Sequence, residues 1–289
     1  MSEDPFVTHR GLLFTVAYEM LGSAVDAEDV VQETWLRWAE VAHAEVRDPR
    51  AYLVRIVTRQ ALNRLRSLGR RREDYVGPWL PEPLLTSPDV AEDAELAASV
   101  SVAMLTVLET LGPAERATFV LREVFDTPYD EIAGALDKSP EAVRQIAHRA
   151  REHVAARRPR MEVDPTQQRE VVERFLAAAQ DGDVDALLEV LAPDVVAVAD
   201  SGGLAAAIRQ PVHGAQRVAR LLGGLTRAAP GARIQTIWLN GAPAARLDLD
   251  GEAVAVVSLV VADGRITHLY AVNNPYKLAG IDEPSLLTR

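Results

Sequence analysis

Apolar positions between residues 6 and 75 follow the 3.6-residue period of helices. Phe6, Leu13, Ala17 and Met20 mark a first helix that Gly22 can close. Asp26 suits the N-cap of a second, with Glu28 and Asp29 placed favourably in its first turn. Val30, Val31, Thr34, Trp35 and Trp38 then form one stripe for burial, and Asp29, Gln32, Glu33, Leu36 and Arg37 take the opposite face. Asp48-Pro49 interrupts the pattern, because a residue before proline is pushed out of the helical region. A long arginine-studded helix follows, from about Arg50 to Leu68, and runs to Gly69.

Residues 76–90 (VGPWLPEPLLTSPDV) carry four prolines and no helical period, so they read as a linker. Trp79, Leu80, Leu84 and Leu85 are costly to leave in water, at about 1.5–3 kcal/mol each, which predicts that this segment docks on something. Residues 94–157 are helical again, divided at Gly112-Pro113. A short helix from Asp130 to Leu136, a turn at Asp137-Lys138 and a longer helix from Ser139 to about Ala155 have the layout of a helix-turn-helix. Ser139 as N-cap with Pro140 behind it is the start signal, and Ile132, Ala133, Leu136, Val143, Ile146, Ala147 and Ala150 face inward.

From residue 166 two amphipathic helices precede strand-like segments at 194–200, 233–239, 244–250, 253–262 and 265–272, with one more helix at 214–228. Asn240-Gly241, Asp250-Gly251 and Asp263-Gly264 are hairpin dipeptides. Helices followed by a consecutive antiparallel meander predict an α+β domain with one curved sheet.

Composition narrows the function. The 289 residues contain no cysteine, which excludes a disulfide framework, thiolate catalysis and Cys-based zinc sites. The longest apolar run, 253–262, is half a bilayer span, and the N-terminus lacks a secretory pattern, so a cytoplasmic protein with no membrane contact is expected. The net charge is −11, yet residues 47–72 hold nine Arg against one acid, and residues 138–160 hold seven basic residues against two acids. Two basic islands in an acidic chain predict two contacts with a polyanion; solvated helix faces are the plain alternative, but nine Arg with one counter-charge would repel one another. On the second helix of the helix-turn-helix, Glu141, Arg144, Gln145, His148, Arg149 and Arg151 point outward, fitted to a DNA major groove. On the first island Arg55, Arg59 and Arg66, with Asn63, could track a strand of phosphates. In the C-terminal domain Asp200, His213, His268, Tyr270 and Asn273 are candidates for a pocket, although a lone polar residue there is more often part of the core or rim. The six histidines do not suggest a metal: His148 and His153 diverge on one helix.

The segments HRGLLFTVAYEMLGSAVDAEDVVQETWLRW, RDPRAYLVRIVTRQALNRLRS and LGPAERATFVLREVFDTPYDEIAGALDKSPEAVRQIAHRAREHV, in this order, resemble region 2, its DNA-melting extension and region 4 of extracytoplasmic-function sigma factors of bacterial RNA polymerase. GPWLPEPL at 77–84 and NPYKL at 274–278 resemble signatures of the subgroup with a SnoaL-like C-terminal extension.

The resemblance implies a multi-domain chain: two all-α sigma domains (residues 1–75, a region 2 helical bundle, and 96–160, a region 4 helix-turn-helix), joined by a Pro-rich linker at 76–95. An α+β SnoaL/NTF2-like, cone-shaped domain follows at 165–289. It implies an alternative sigma factor, not an enzyme, that brings core polymerase to −10 and −35 promoter elements. Asp29, Gln32, Glu33, Leu36 and Arg37 would bind polymerase (β′ clamp, with the β flap as a second contact). Arg55, Arg59, Asn63 and Arg66 would bind the −10 strand, and Ser139, Glu141, Arg144, Gln145, His148 and Arg149 the −35 duplex. Trp79, Leu80, Asn274, Pro275, Lys277 and Leu278 would join the third domain to the others as a built-in regulator. No metal and no cofactor is implied. Two alternatives stay open for the SnoaL-like domain: a sensor of a small-molecule ligand, or proton-transfer chemistry at a pocket holding Asp200, His268 and Tyr270.

Overall fold

The computed structural model describes residues 4–43, 46–73, 75–157, 165–204 and 209–289. Helices α1 (Pro5–Leu21), α2 (Ala24–Ala39) and α3 (Pro49–Glu73) pack around one another at the N-terminus. Asp4 caps α1 by accepting from the Phe6 amide at 2.8 Å, and Gly22 ends it with a left-handed φ of 66°. The cap of α2 is Ser23, three residues before the expected Asp26, and its hydroxyl accepts from the Asp26 amide. Asp26 is instead committed to Arg64 on α3. Of the two tryptophans expected in the core, Trp38 is 1% exposed, whereas Trp35 is 40% exposed and leans on the Phe6 ring. Helix α3 does not stop at Gly69: the helix-favouring arginines that follow carry it to residue 73, outweighing one glycine's cost of about 1 kcal/mol.

A 3₁₀ turn (Pro88–Glu92) leads into α4 (Ala94–Val100), α5 (Val102–Leu108) and α6 (Pro113–Phe119), which widens into a π turn at Val120–Val124. Helices α7 (Tyr129–Leu136) and α8 (Pro140–Arg157) form the helix-turn-helix. Asp137 turns the chain in a left-handed conformation, and the Ser139 hydroxyl accepts from the Ala142 amide at the start of α8. One apolar core runs without a break from α1–α3 through Leu96, Leu105, Val120 and Ile132 to Val154.

The third unit comprises α9 (Pro165–Asp181), α10 (Val184–Val190), β1 (Leu191–Asp200), β2 (Val212–His213), α11 (Ala215–Ala228), β3 (Arg233–Leu239), β4 (Ala242–Leu249), β5 (Glu252–Ala262), β6 (Arg265–Val272) and α12 (Pro275–Leu278). Its six strands run in the order β2-β1-β6-β5-β4-β3. The last four form the expected antiparallel meander, with positive φ at all three hairpin dipeptides. β1 departs from that expectation, because it pairs parallel to β6 in the middle of the sheet. Helices α9 and α11 cover one sheet face together with Ala245, Leu259 and Leu269. The opposite face, with Val256, Val260, Tyr270 and Val272, packs on Leu80 of the linker and on Val102 and Ala103 of α5. No helix among the described residues is long and apolar enough to cross a membrane.

Candidate nucleic-acid interface

Helix α8 buries Val143, Ile146, Ala147, Ala150 and Val154. The remaining positions of its 3.6-residue period therefore face solvent, and Glu141, Arg144, Gln145, His148 and Arg149 are all exposed, as is Ser139 just before them. Arg144 lies over the Tyr129 ring, with its guanidinium carbon 5.6 Å from the ring centre, and 3.7 Å from Glu141. Arg149 faces Glu115 at 3.6 Å. Arg151 is the most firmly held cation here, because it donates to Glu123 (2.9 Å) and to the Tyr129 hydroxyl (2.8 Å). The exposed cations nearer the start of α8 form looser, solvated pairs that a phosphate can displace at small cost.

On α3 the apolar positions Leu53, Val57, Ala61, Leu65 and Leu68 point into the core, so Arg55, Arg59, Asn63 and Arg66 share the exposed side. Arg55 stacks on Tyr52 with its guanidinium carbon 5.2 Å from the ring centre, and Arg66 reaches Asn63 at 3.5 Å. Arg59 is already engaged: its guanidinium donates to the carbonyls of Gly134 (2.7 Å) and Ala135 (3.3 Å) at the C-terminal end of α7. A cation there complements the negative end of the helix. The arginine-bearing face of one helical unit is thus partly covered by the helix-turn-helix of the other.

Not every arginine of the first island is unpaired. Arg64 forms charge-assisted bonds to Asp26 (2.7 Å) and Asp29 (2.9 Å), so counter-charge comes from α2 and not from neighbours in sequence. Asp29 is accordingly half-buried and occupied, while Gln32, Glu33, Leu36 and Arg37 remain exposed on α2. Glu33 accepts from Gln60 at 2.7 Å.

The linker is fixed by two buried polar clusters. In the first, Asp200 is fully buried at the end of β1. One carboxylate oxygen accepts from the Tyr75 hydroxyl (2.5 Å) and the Gly202 amide (3.1 Å), the other from the Leu80 amide (2.8 Å) and Lys277 Nζ (2.7 Å). Lys277 also donates to the Leu80 carbonyl and sits 4.0 Å from the Trp79 ring centre, while Asn274 donates to the Tyr75 oxygen at 2.9 Å. Burial and the adjacent Asp200 carboxylate push the Tyr75 hydroxyl well above its ordinary range. Leu80 and Leu278 are buried in the apolar contact beside this cluster, and Pro275 opens α12. Trp79 also lies against Gly22: a Cβ there would meet the indole at 2.8 Å.

Sequence reasoning missed the second cluster, having read Asn240-Gly241 only as a turn. The Asn240 side chain accepts from the Leu84 amide (3.1 Å) and donates to the Tyr18 oxygen (2.8 Å) and the Val100 carbonyl (2.9 Å). Tyr18 in turn donates to the Glu82 carbonyl at 2.7 Å. The linker also extends the sheet beyond β3, through Thr86 N–H to the Trp238 carbonyl (3.0 Å) and Asn240 N–H to the Leu84 carbonyl (2.9 Å). The C-terminal tail was missed too. Ser285 N–H bonds the Leu85 carbonyl, Leu287 is buried in the N-terminal core, and Thr288 N–H bonds the Thr15 hydroxyl. A period-two or 3.6-residue pattern carries no signal for such a tail.

A cavity of about 680 Å³ does lie in the third unit, but Asp200, His268 and Tyr270 do not line it. Leu269 and Ala271 of β6, with Asn273 just beyond its end, line it from the sheet on the α9–α11 side. Tyr270 points the other way, into the contact with the linker, and stacks with His268 at 5.9 Å between ring centres. Burial lowers the His268 pKa from its ordinary value. The alternation of β6 was legible, but which face turned to the helices was not. Among the described residues no cluster of His, Asp and Glu could hold a metal.

The geometry defines a chain with two exposed arginine-bearing helical faces, one of them on a helix-turn-helix, and a third unit locked to both. Residues 6–71 match the family model Sigma-70 region 2, and residues 101–154 match Sigma-70, region 4. The chain is 39% identical to the ECF RNA polymerase sigma factor SigJ of Mycobacterium tuberculosis, covering 97% of this chain and 94% of that one. It is 34% identical to the probable ECF RNA polymerase sigma factor SigI of M. tuberculosis, over 93% and 92% of the two chains. The crystal structure of M. tuberculosis SigJ aligns with a TM-score of 0.77 at 35% identity, over 96% of this chain and 98% of that one, so the three-part architecture is shared along its whole length. The chain belongs to the extracytoplasmic-function RNA polymerase sigma factors, with sigma regions 2 and 4 followed by an α+β C-terminal domain.

Proposed function

We propose that this chain directs bacterial RNA polymerase core to promoters in the cytoplasm, with residues 1–75 and 96–160 as its two DNA-contacting domains. The observation that carries this reading is the pair of exposed cationic faces on α3 and α8, each backed by a buried apolar stripe. Arg144, Gln145, His148 and Arg149, with Ser139 and Glu141 at the start of α8, read the −35 duplex in the major groove. Arg55, Arg59, Asn63 and Arg66 hold the displaced −10 strand. Gln32, Glu33, Leu36 and Arg37, with Asp29 at the margin, dock on the β′ clamp, and the 96–160 domain meets the β flap. Polymerase supplies the effective concentration that two individually weak DNA contacts need.

The SnoaL-like domain is a built-in, non-catalytic regulator in this reading. It grips the 76–95 linker through Asp200, Asn274, Pro275, Lys277 and Leu278, and so sets how far the two DNA-contacting domains can part. The Arg59 contact with α7 is compatible with DNA only after that separation. General acid–base chemistry is disfavoured because the residues lining the cavity include no ionisable side chain, and Asp200 is neutralised by Lys277 outside it.

Run-off transcription with purified core polymerase and a template carrying the promoter of the protein's own gene tests the reading. The full chain is expected to direct specific initiation, and truncation after about residue 160 to change promoter activity. A full chain that leaves core polymerase inactive on every template overturns the sigma reading. Equal transcription from both forms overturns the regulatory one.

A further inference from the structure

The cavity between α9, α11 and the sheet has a composition unlike the rest of the molecule. Its lining is aliphatic or aromatic apart from Gln180, Thr226 and Asn273. Gln180 and Thr226 already use their polar groups, in bonds to the Ile234 amide (2.8 Å) and the Ala179 carbonyl (2.8 Å). Asn273 differs: its backbone N–H bonds the Asp200 carbonyl at 2.9 Å, but its side-chain Oδ1 is buried without a hydrogen-bond partner among the described residues. An unmet acceptor in an apolar enclosure is costly, and a donor from a bound molecule removes that cost. Leu225 and Val254, both among the lining residues, are 50% and 39% exposed, so part of the cavity wall opens to solvent through apolar side chains. Alanines at 197, 199, 245, 255 and 271 floor the cavity where larger residues would fill it.

We infer that this cavity is a binding site for a neutral, largely hydrocarbon small molecule that carries one hydrogen-bond donor directed at Asn273. The volume is that of a drug-sized ligand site. No lining residue offers a cation or an anion, so a charged ligand would be buried without a partner. The inference concerns the SnoaL-like domain alone and stands whether or not that domain regulates initiation.

The test is a fluorescence titration of the full-length chain with 1-aminoanthracene, which is neutral, apolar and bears an N–H donor. Saturable one-to-one binding is expected, with anthracene-1-carboxylate binding at least about tenfold more weakly because its charge has no partner. Ala271→Phe on β6 and Leu222→Trp on α11 each fill the cavity from a different wall. Each should weaken the amine's binding by at least about tenfold while far-ultraviolet circular dichroism stays unchanged. A non-saturable signal, or equal binding of the amine and the carboxylate to the wild-type chain, overturns the inference without reference to any variant. Undiminished binding to a folded filled variant overturns it as well.

Discussion

Glu19 shows how much one buried carboxyl can govern. It lies wholly inside the core, with one oxygen accepting from Ser99 at 2.7 Å and the other buried without a partner among the described residues. Burial raises its pKa from 4.5 to about 8, against the pull of Arg116. The folded chain therefore keeps a proton there that the unfolded chain releases above pH 4.5. Stability from this group is complete below that pH and is lost as the pH climbs toward 8, at up to about 1.4 kcal/mol per pH unit. The melting temperature should fall between pH 5 and 8, and Glu19→Gln should flatten that fall. A variant with an unaltered slope would assign the dependence to another group. At Asp200 the charge is paired, so removal of one partner is the severe change. Asp200→Ala removes the counter-charge of Lys277 and leaves the Leu80 amide unmatched, and urea unfolding should show a loss of about 3–5 kcal/mol. Adding Lys277→Met to Asp200→Ala should recover part of that loss. The sequence marks Asp200 as a strand-end carboxylate and a pocket candidate, not as the counter-ion of Lys277. Apart from the Gly202 amide two residues on, the partners of Asp200 lie 77, 120 and 125 positions away, and no local pattern encodes them.

Among the elements, the helix-turn-helix was the most legible, because Ser139-Pro140 and the apolar spacing act within a few residues. Helix ends were less so. Asp26 resembles a cap but is recruited by Arg64, and Ser23 takes its place. The strands were readable from their hairpin dipeptides, yet the parallel pairing of β1 with β6 depends on a long crossover that period-two alternation cannot reveal. The exposure of the α8 face makes a specific prediction. Gln145→Ala should cost about 1–3 kcal/mol of discrimination at one −35 position, measured by competition among promoter variants, while the melting temperature stays within about 1 °C because Gln145 is exposed. A uniform loss across all promoter variants would instead assign Gln145 to phosphate contact.

At the scale of the whole molecule, Asn240 joins what the sequence divides into separate units. Its carboxamide bonds Tyr18 of α1, Val100 at the end of α4 and Leu84 of the linker at once. The helical units moreover share one core, and Leu287 of the tail enters it. Calorimetry of the full chain should therefore show one cooperative transition. Asn240→Ala, which leaves several buried groups unmatched at about 1–3 kcal/mol each, should split it into two. A single transition in the variant would mean that the apolar contacts alone enforce cooperativity.

The linker's pairing along β3 has a further cost if the two DNA-contacting domains part as proposed. Residues 84–86 occupy the outer rim of a six-stranded sheet. Withdrawing them bares the main-chain groups of Trp238 and Asn240, and a bared rim invites strand addition from another copy, the first step toward aggregates. The released form is therefore safe only while it is brief or while a partner shields that rim. A chain let go by polymerase before residues 84–86 pair again would be expected to clump with its own copies.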